Sequence, residues 1–188
     1  MNMRSRTRNL VLISLTVALT TAGAYLRIPV GPVPISLQTL FVLLSGALLG
    51  PWVGSLAMIA YLVLGLMGLP VFTGGGGPQY ILSPTFGFLL AFPLSAMVVG
   101  LVLSGDGMDR QTGFGRRIAA LLLGTGVIYL VGIPWLGLHF ALVQSKPMGT
   151  KTLLTVGMLP FLPGDLLKVL LVAWIIEPTK RALRQGGR

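Results

Sequence analysis

The sequence predicts an all-α membrane protein: a single domain over residues 1–188 with six transmembrane helices and both termini in the cytoplasm. Hydrophobic residues make up 54% of the 188 residues and charged residues only 10%, whereas soluble domains carry charge on about a quarter of their residues. Mean hydropathy is +0.87. Apolar runs approach the length of roughly 20 residues that one helical span requires. The predicted spans are 10–26, 38–50, 52–68, 84–104, 117–138 and 160–177.

The first span follows a basic stretch and ends near the small residues 22–24. This pattern also fits a secretory signal with a cleavage site. We favour a retained span because the apolar run, residues 10–26, is 17 residues long. The apolar core of a usual signal peptide has only roughly 7–15 residues. Removing it would also leave an odd number of spans.

The second and third spans come from one charge-free stretch, residues 39–68. As a single straight helix this stretch would be about 45 Å long, too long for one crossing. Gly50 and Pro51 interrupt it, because proline lacks the backbone donor and glycine tolerates a turn. Two spans joined by a tight turn are therefore predicted.

The distribution of Lys and Arg sets the orientation. With the N-terminus inside, six spans place ten basic residues inside: Arg4, Arg6, Arg8, Arg110, Arg116, Arg117, Lys180, Arg181, Arg184 and Arg188. Only Arg27, Lys146 and Lys151 fall outside, and Lys168 falls within or near the sixth span. Counting 39–68 as one span would put the C-terminal cluster outside, against the positive-inside preference.

Composition also excludes several classes of function. The chain has no cysteine and one histidine, His139, so it offers no disulfide, thiolate nucleophile or two-histidine metal site. It has no phosphate-binding G-x-x-x-x-G-K-[ST] pattern, so no nucleotide site of its own is expected. The net charge of +10 would suggest nucleic acid in a soluble protein. Here it indicates topology in a lipid bilayer, and no nucleic-acid partner.

Asp165 and Lys168 are the most informative residues. Three apart on a helix, they lie on one face, and Pro163 suits a first helical turn that favours a nearby carboxylate. Charges inside a span cost about 2.5–3.5 kcal/mol each, so they usually face a cavity or each other. One interpretation is a structural ion pair, or two side chains that extend to the lipid headgroups. The other is a recognition fork, in which the two charges together bind a neutral group that carries both N–H donors and a carbonyl.

Two other classes of function stay open at this point. An intramembrane enzyme could use Asp165 as general base, although the next carboxylate along that helix, Glu177, is about 18 Å away. A channel is disfavoured because no span carries repeated polar residues.

Two loops and one helix face complete the candidates. The loop 28–34 is proline-rich and the loop 69–80 contains four glycines, 74–77; both are apolar, which predicts a cap folded onto the bundle. The glycines form either a flexible turn or a row of N–H groups that holds a carboxylate. Ala18 and Ala22 form a small-x-x-x-small pair, which suits internal packing or close approach of another helix.

Together these motifs resemble the BioY family, the biotin-specific substrate-binding (S) subunits of energy-coupling factor (ECF) transporters. The resemblance runs from about residue 18 to residue 168. It is carried by 34–39 (PISLQT), 46–51 (GALLGP), 68–72 (GLPVF), 83–85 with Gly87 (SPT and G), and above all 159–168 (LPFLPGDLLK).

The resemblance implies the ECF S-component fold in a prokaryotic cell membrane, with an extracellular-side pocket for biotin and no cofactor. Asp165 would accept hydrogen bonds from the ureido N–H groups, and Lys168 would donate to the ureido carbonyl. The residues expected to close over the ligand are Gln38, Gly74, Gly75, Gly76, Gly77 and Tyr80. Ala18 and Ala22 would dock on the transmembrane coupling protein (T component), which works with paired ATPase subunits. Many relatives have glycine where this chain has Phe86, which could alter the width of the pocket.

Overall fold

The computed structural model describes residues 3–104 and 113–185. Arg110 and Arg188, which entered the charge count, lie outside the described residues, as do the side chains of Arg4 and Arg184. The helices are α1 (Met3–Tyr25), α2 (Gln38–Leu66), α3 (Phe86–Ser104), α4 (Phe114–Leu142), α5 (Thr150–Gly157) and α6 (Leu162–Gln185). A 3-10 turn, Pro78–Leu82, precedes α3.

Helix α2 is a hairpin. Gly50 leaves the helical conformation with φ 80° and ψ 179°, and Pro51 follows it. At the two ends of α2, Gln38 Nε2 donates a hydrogen bond of 2.6 Å to the Tyr61 hydroxyl; in one straight helix these residues would be about 35 Å apart. The chain therefore folds back at Gly50-Pro51, where the sequence predicts a turn, and the two arms of α2 run antiparallel.

Among the described residues, α3 and α4 are each long and apolar enough to cross a membrane, α2 has that length only over both arms of its hairpin, and α5 with α6 makes a further candidate as a pair bent by 50°. Several helices extend beyond the predicted spans: α1 begins at Met3, and α6 continues to Gln185. The hydropathy pattern marks only the apolar part of a helix, whereas basic residues such as arginine are good helix formers that continue it at either end.

Close backbone packing holds the bundle together. Helix α2 packs against α1, α3 and α6, and α4 packs against α3, α5 and α6. A side chain on Gly46 of α2 would overlap the backbone carbonyl of Ala96 in α3, and one on Gly100 of α3 would overlap Pro51. Small residues at these crossings let the helices approach without a side chain between them.

The outward surface is apolar. Trp52, Leu130 and Trp174 are 75%, 74% and 73% exposed on α2, α4 and α6. Exposed apolar surface of this extent is typical of a contact with lipid or another protein. The helices thus present the surface expected of a multi-pass membrane protein.

Two loops cover one end of the bundle. The proline-rich loop contains two short antiparallel strands, β1 (Arg27–Ile28) and β2 (Ile35–Ser36). The glycine loop, residues 67–77, is tied to the end of α2 by the Gly77 N–H, which donates to the Gly65 carbonyl at 2.7 Å. Tyr25, the last residue of α1, donates a hydrogen bond of 2.5 Å to the Pro70 carbonyl in this loop.

Candidate functional site

A buried cavity, here called the fork cavity, lies between α2, α3, α4 and α6. Its empty space, counted out to its open mouth, is about 550 Å³. Its lining residues are Val33, Pro34, Ser36, Gln38, Thr39, Thr73, Thr85, Phe88, Leu89, Phe92, Ile128, Tyr129, Gly157, Phe161, Asp165 and Lys168. Apolar walls with a few polar groups are typical of a site for a small, mostly apolar ligand.

Asp165 and Lys168 provide the charged end of this cavity. Lys168 Nζ lies 2.9 Å from Asp165 Oδ1, and the two residues are 8% and 6% exposed. Asp165 is in the first turn of α6, where the partial positive charge of the helix end stabilises a carboxylate. Both residues line the cavity, so the alternative in which they extend to lipid headgroups is wrong.

Two further side chains hold the pair in place. The Tyr129 hydroxyl donates a hydrogen bond to Asp165 Oδ2, and Lys168 Nζ donates one of 2.8 Å to Thr39 Oγ1. Sequence reasoning assigned no role to Thr39, although it directly follows Gln38. Tyr129 also lines the fork cavity. Both partners are far from α6 in sequence, so only the tertiary structure reveals them.

Gln38 lines the same cavity and is 4% exposed. Its Oε1 accepts a hydrogen bond of 3.0 Å from the Ser36 hydroxyl, while its Nε2 donates to Tyr61. The Tyr61 hydroxyl in turn donates to the Val71 carbonyl at 2.7 Å. Gln38 therefore connects the proline-rich loop, both arms of α2 and the glycine loop.

The four glycines of the glycine loop lie next to the fork cavity rather than in it, whereas Thr73 of the same loop lines it. The N–H groups of Gly74, Gly75 and Gly77 donate to the Tyr80 hydroxyl at 3.3 Å, the Phe72 carbonyl at 3.1 Å and the Gly65 carbonyl at 2.7 Å, respectively. These bonds favour the turn over a row of N–H groups that holds a carboxylate. A side chain on the fourth glycine, Gly76, would overlap the Leu69 carbonyl.

A second space, here called the loop cavity, lies between the two loops. Its lining residues are Arg27, Pro32, Pro34, Thr73, Gly74, Gly76, Gln79, Tyr80, Leu82, Ser83 and Thr85. Pro34, Thr73 and Thr85 line both cavities. The buried Tyr80 hydroxyl lies 3.1 Å from the hydroxyl oxygens of both Thr73 and Thr85, so these hydroxyl groups lie where the two spaces meet.

Comparison with known proteins identifies this architecture. A model of the BioY family matches residues 1–185. The chain belongs to the BioY family. It is 37% identical to the "Probable biotin transporter BioY" of Pyrococcus horikoshii, over 92% of this chain and 96% of that protein. It is also 37% identical to the "Biotin transporter BioY" of Thermotoga maritima, over 93% of this chain and 96% of the relative.

A solved structure agrees with the sequence relatives. The crystal structure of "the S-component for biotin from an ECF-type ABC transporter" superposes with a TM-score of 0.81 and 33% identity. The match covers 98% of this chain and 95% of the other. The chain thus has the ECF S-component fold, as the sequence predicts.

One departure from the BioY pattern, Phe86, does not narrow the fork cavity. Phe86 is 5% exposed and packs edge-on against Trp135 with ring centroids 5.5 Å apart. Trp135 in turn donates a hydrogen bond of 3.0 Å from Nε1 to the Ser83 carbonyl. The Phe86 ring thus packs the start of α3 against α4, and Phe86 does not line the fork cavity.

The small-residue pair of this BioY chain lies on an outer face. Ala18 and Ala22 are both exposed on α1, whereas Thr20 and Ala24 are fully buried. The interpretation of the pair as internal packing is therefore wrong. The face is open to another helix.

Proposed function

We propose that this chain binds biotin in the fork cavity, from the extracellular side, and delivers it across the membrane with an ATP-driven coupling module. The observation that carries the proposal is the buried Asp165–Lys168 pair at one end of a largely apolar cavity. Membership of the BioY family and the names of its relatives as biotin transporters support the choice of ligand.

The ureido ring of biotin matches the chemistry of the pair. It is neutral and offers two N–H donors beside one carbonyl acceptor. The Asp165 carboxylate accepts hydrogen bonds from the N–H groups, and the Lys168 ammonium donates to the carbonyl. A ligand with only one of these functions would lose the hydrogen bond to one of the two charged groups.

The remainder of the cavity suits the sulfur-containing ring of biotin. Phe88 and Phe92 of α3 and Phe161 before α6 line its walls. These aromatic surfaces exclude water and pack against an apolar ring. Tyr80 accepts a hydrogen bond from Gly74 of the glycine loop, and both Gln38 and Gly77 are bonded to the second arm of α2; these residues are assigned to closing the site.

In this proposal the energy for transport comes from a partner, because the sequence has no G-x-x-x-x-G-K-[ST] motif of its own. We assign the exposed face of Ala18 and Ala22 to the T component, with paired ATPase subunits bound to it. This arrangement needs the six predicted spans, with both termini in the cytoplasm and the two loops outside, in a prokaryotic cell membrane. Biotin is the cargo, and the subunit uses no cofactor of its own.

Nothing in the site favours the alternative of an intramembrane enzyme with Asp165 as general base. The two oxygens of Asp165 accept hydrogen bonds from Lys168 and Tyr129, so each already has a donor within the protein. Incubation with labelled biotin is expected to return the ligand unchanged.

The test is calorimetry on the purified chain in detergent. Wild-type protein is expected to bind one biotin reversibly, and Asp165→Asn is expected to lower the affinity at least about 100-fold, as loss of a charged hydrogen-bond acceptor predicts. A match between the circular dichroism spectra and detergent elution profiles of the two proteins is the control for folding. Absence of binding to wild-type protein, or equal affinity in the variant, contradicts the proposal.

Co-purification tests the partner. The tagged chain is expected to elute from native membranes with bound biotin and with ATPase subunits. Recovery of a different small molecule would overturn the assignment of the ligand.

A further inference from the structure

Arg27 contributes a positive charge that the fork does not use. It lines the loop cavity and is exposed there. The other cation in contact with the two cavities, Lys168, is paired with Asp165. Within the described ranges, no acidic residue lines the loop cavity and no carboxylate forms an ion pair with Arg27.

The two cavities are adjacent, so one elongated ligand can occupy both. They share the lining residues Pro34, Thr73 and Thr85. A ligand with its ring end at the fork extends its other end past these three residues into the loop cavity. Asp165 contributes one negative charge to this path, and Lys168 and Arg27 contribute one positive charge each. The net charge of +1 complements a ligand with one negative charge.

The position of Arg27 is fixed by backbone pairing. Arg27 in β1 lies opposite Ser36 in β2, and Ser36 lines the fork cavity and hydrogen-bonds to Gln38. This short hairpin attaches the arginine to the wall of the ligand site. The guanidinium group presents a planar fork of N–H donors that matches a carboxylate in a bidentate geometry.

We propose that Arg27 anchors the carboxylate at the end of the ligand's aliphatic chain and thereby selects the free acid over neutral derivatives. This inference rests on the proposed function, because it takes biotin as the ligand. Arg27 replaces the glycine-loop N–H groups in this role, since three of those four groups are already bonded within the protein.

The experiment compares biotin with biotinamide, in which a neutral amide replaces the carboxylate. Calorimetry on the full chain in detergent is expected to show about 10-fold tighter binding of biotin, as for a hydrogen bond to a charged group. Arg27→Gln is expected to remove this preference by weakening biotin about 10-fold while biotinamide changes less than about 2-fold. Arg27→Lys keeps the charge but loses the bidentate geometry, so an intermediate preference is expected.

Lys151→Gln is the matched control, because Lys151 is an exposed cation at the start of α5 that lines neither cavity. It should leave both affinities unchanged. Equal affinities of wild-type protein for the two ligands overturn the inference while leaving the proposed function intact. An equal loss of both ligands in Arg27→Gln assigns a structural or lipid-contacting role and also overturns it. Failure of wild-type protein to bind either ligand contradicts the proposed function itself, before any variant is made.

Discussion

The two cavities differ in how their polar groups are satisfied. At the fork, charges on α6 are held by each other and by side chains of α2 and α4, so the groups are oriented before a ligand arrives. The loop cavity is lined mainly by loop residues and hydroxyl groups, together with Arg27, which forms no ion pair with a carboxylate in the described part of the chain. From this difference we propose two tasks: the helices recognise one end of the ligand, and the loops close over it. A substitution at the fork should therefore cost more affinity than one in the loops.

The largest effect is expected for Lys168→Ala. This change leaves the buried Asp165 carboxylate without its cation and should lower biotin affinity at least about 100-fold and stability by about 3–5 kcal/mol. Lys151→Ala, at an exposed position, is the control and should change neither. Calorimetry and thermal unfolding in detergent measure the two effects. Wild-type affinity in Lys168→Ala would show that the fork is only structural.

A smaller effect is expected for Gly76→Ala in the glycine loop. The added methyl group would overlap the Leu69 carbonyl, and overpacking of this kind costs about 1–3 kcal/mol. If the closed form of the loop is destabilised by this amount, biotin affinity should fall by about 10-fold or more. Gly126→Ala serves as control, because a side chain there on α4 meets nothing within 4 Å. Calorimetry measures the affinity, and wild-type affinity in Gly76→Ala would show that the loop does not close on the ligand.

Features set by local sequence could be predicted from it. The charge-free stretch divided by Gly50-Pro51 identifies a turn, and the motif around Pro163 places Asp165 in the first turn of a helix. Both follow from the chemistry of glycine and proline, which acts within a few residues. The hydrogen-bond partners of the fork could not be found in this way, because Thr39 and Tyr129 reach it from other helices.

The state of the glycine-loop N–H groups also could not be predicted from the sequence. The composition of the loop permits exposed N–H groups, but whether they are free depends on which carbonyls lie nearby. The Gly65 carbonyl at the end of α2 and the Phe72 carbonyl accept two of them, and the Tyr80 hydroxyl accepts a third. Only the tertiary arrangement decides this competition.

A further comparison within the fork concerns Tyr129→Phe. The hydroxyl orients Asp165 but need not leave when biotin binds, since a carboxylate oxygen accepts more than one hydrogen bond. Loss of one such bond should weaken biotin about 5-fold, corresponding to about 1 kcal/mol. Calorimetry measures this loss, and Thr155→Val, which removes an exposed hydroxyl that lines neither cavity, is the control and should leave the affinity unchanged. Tighter binding in Tyr129→Phe would mean that the hydroxyl competes with the ligand.

The smallest effect on biotin affinity is expected outside both cavities, at Ala18 and Ala22. These residues are exposed on α1 and line neither cavity, so Ala18→Leu with Ala22→Leu should bind biotin as wild-type protein does. Because the larger side chains prevent close approach of a partner helix, uptake of labelled biotin into cells should nevertheless be lost. Gly126→Leu adds a similar side chain on the exposed face of α4 and should preserve both binding and uptake. Normal uptake by the double variant would exclude this face of α1 as the docking surface, and weakened binding would show that α1 acts on the cavities through the bundle.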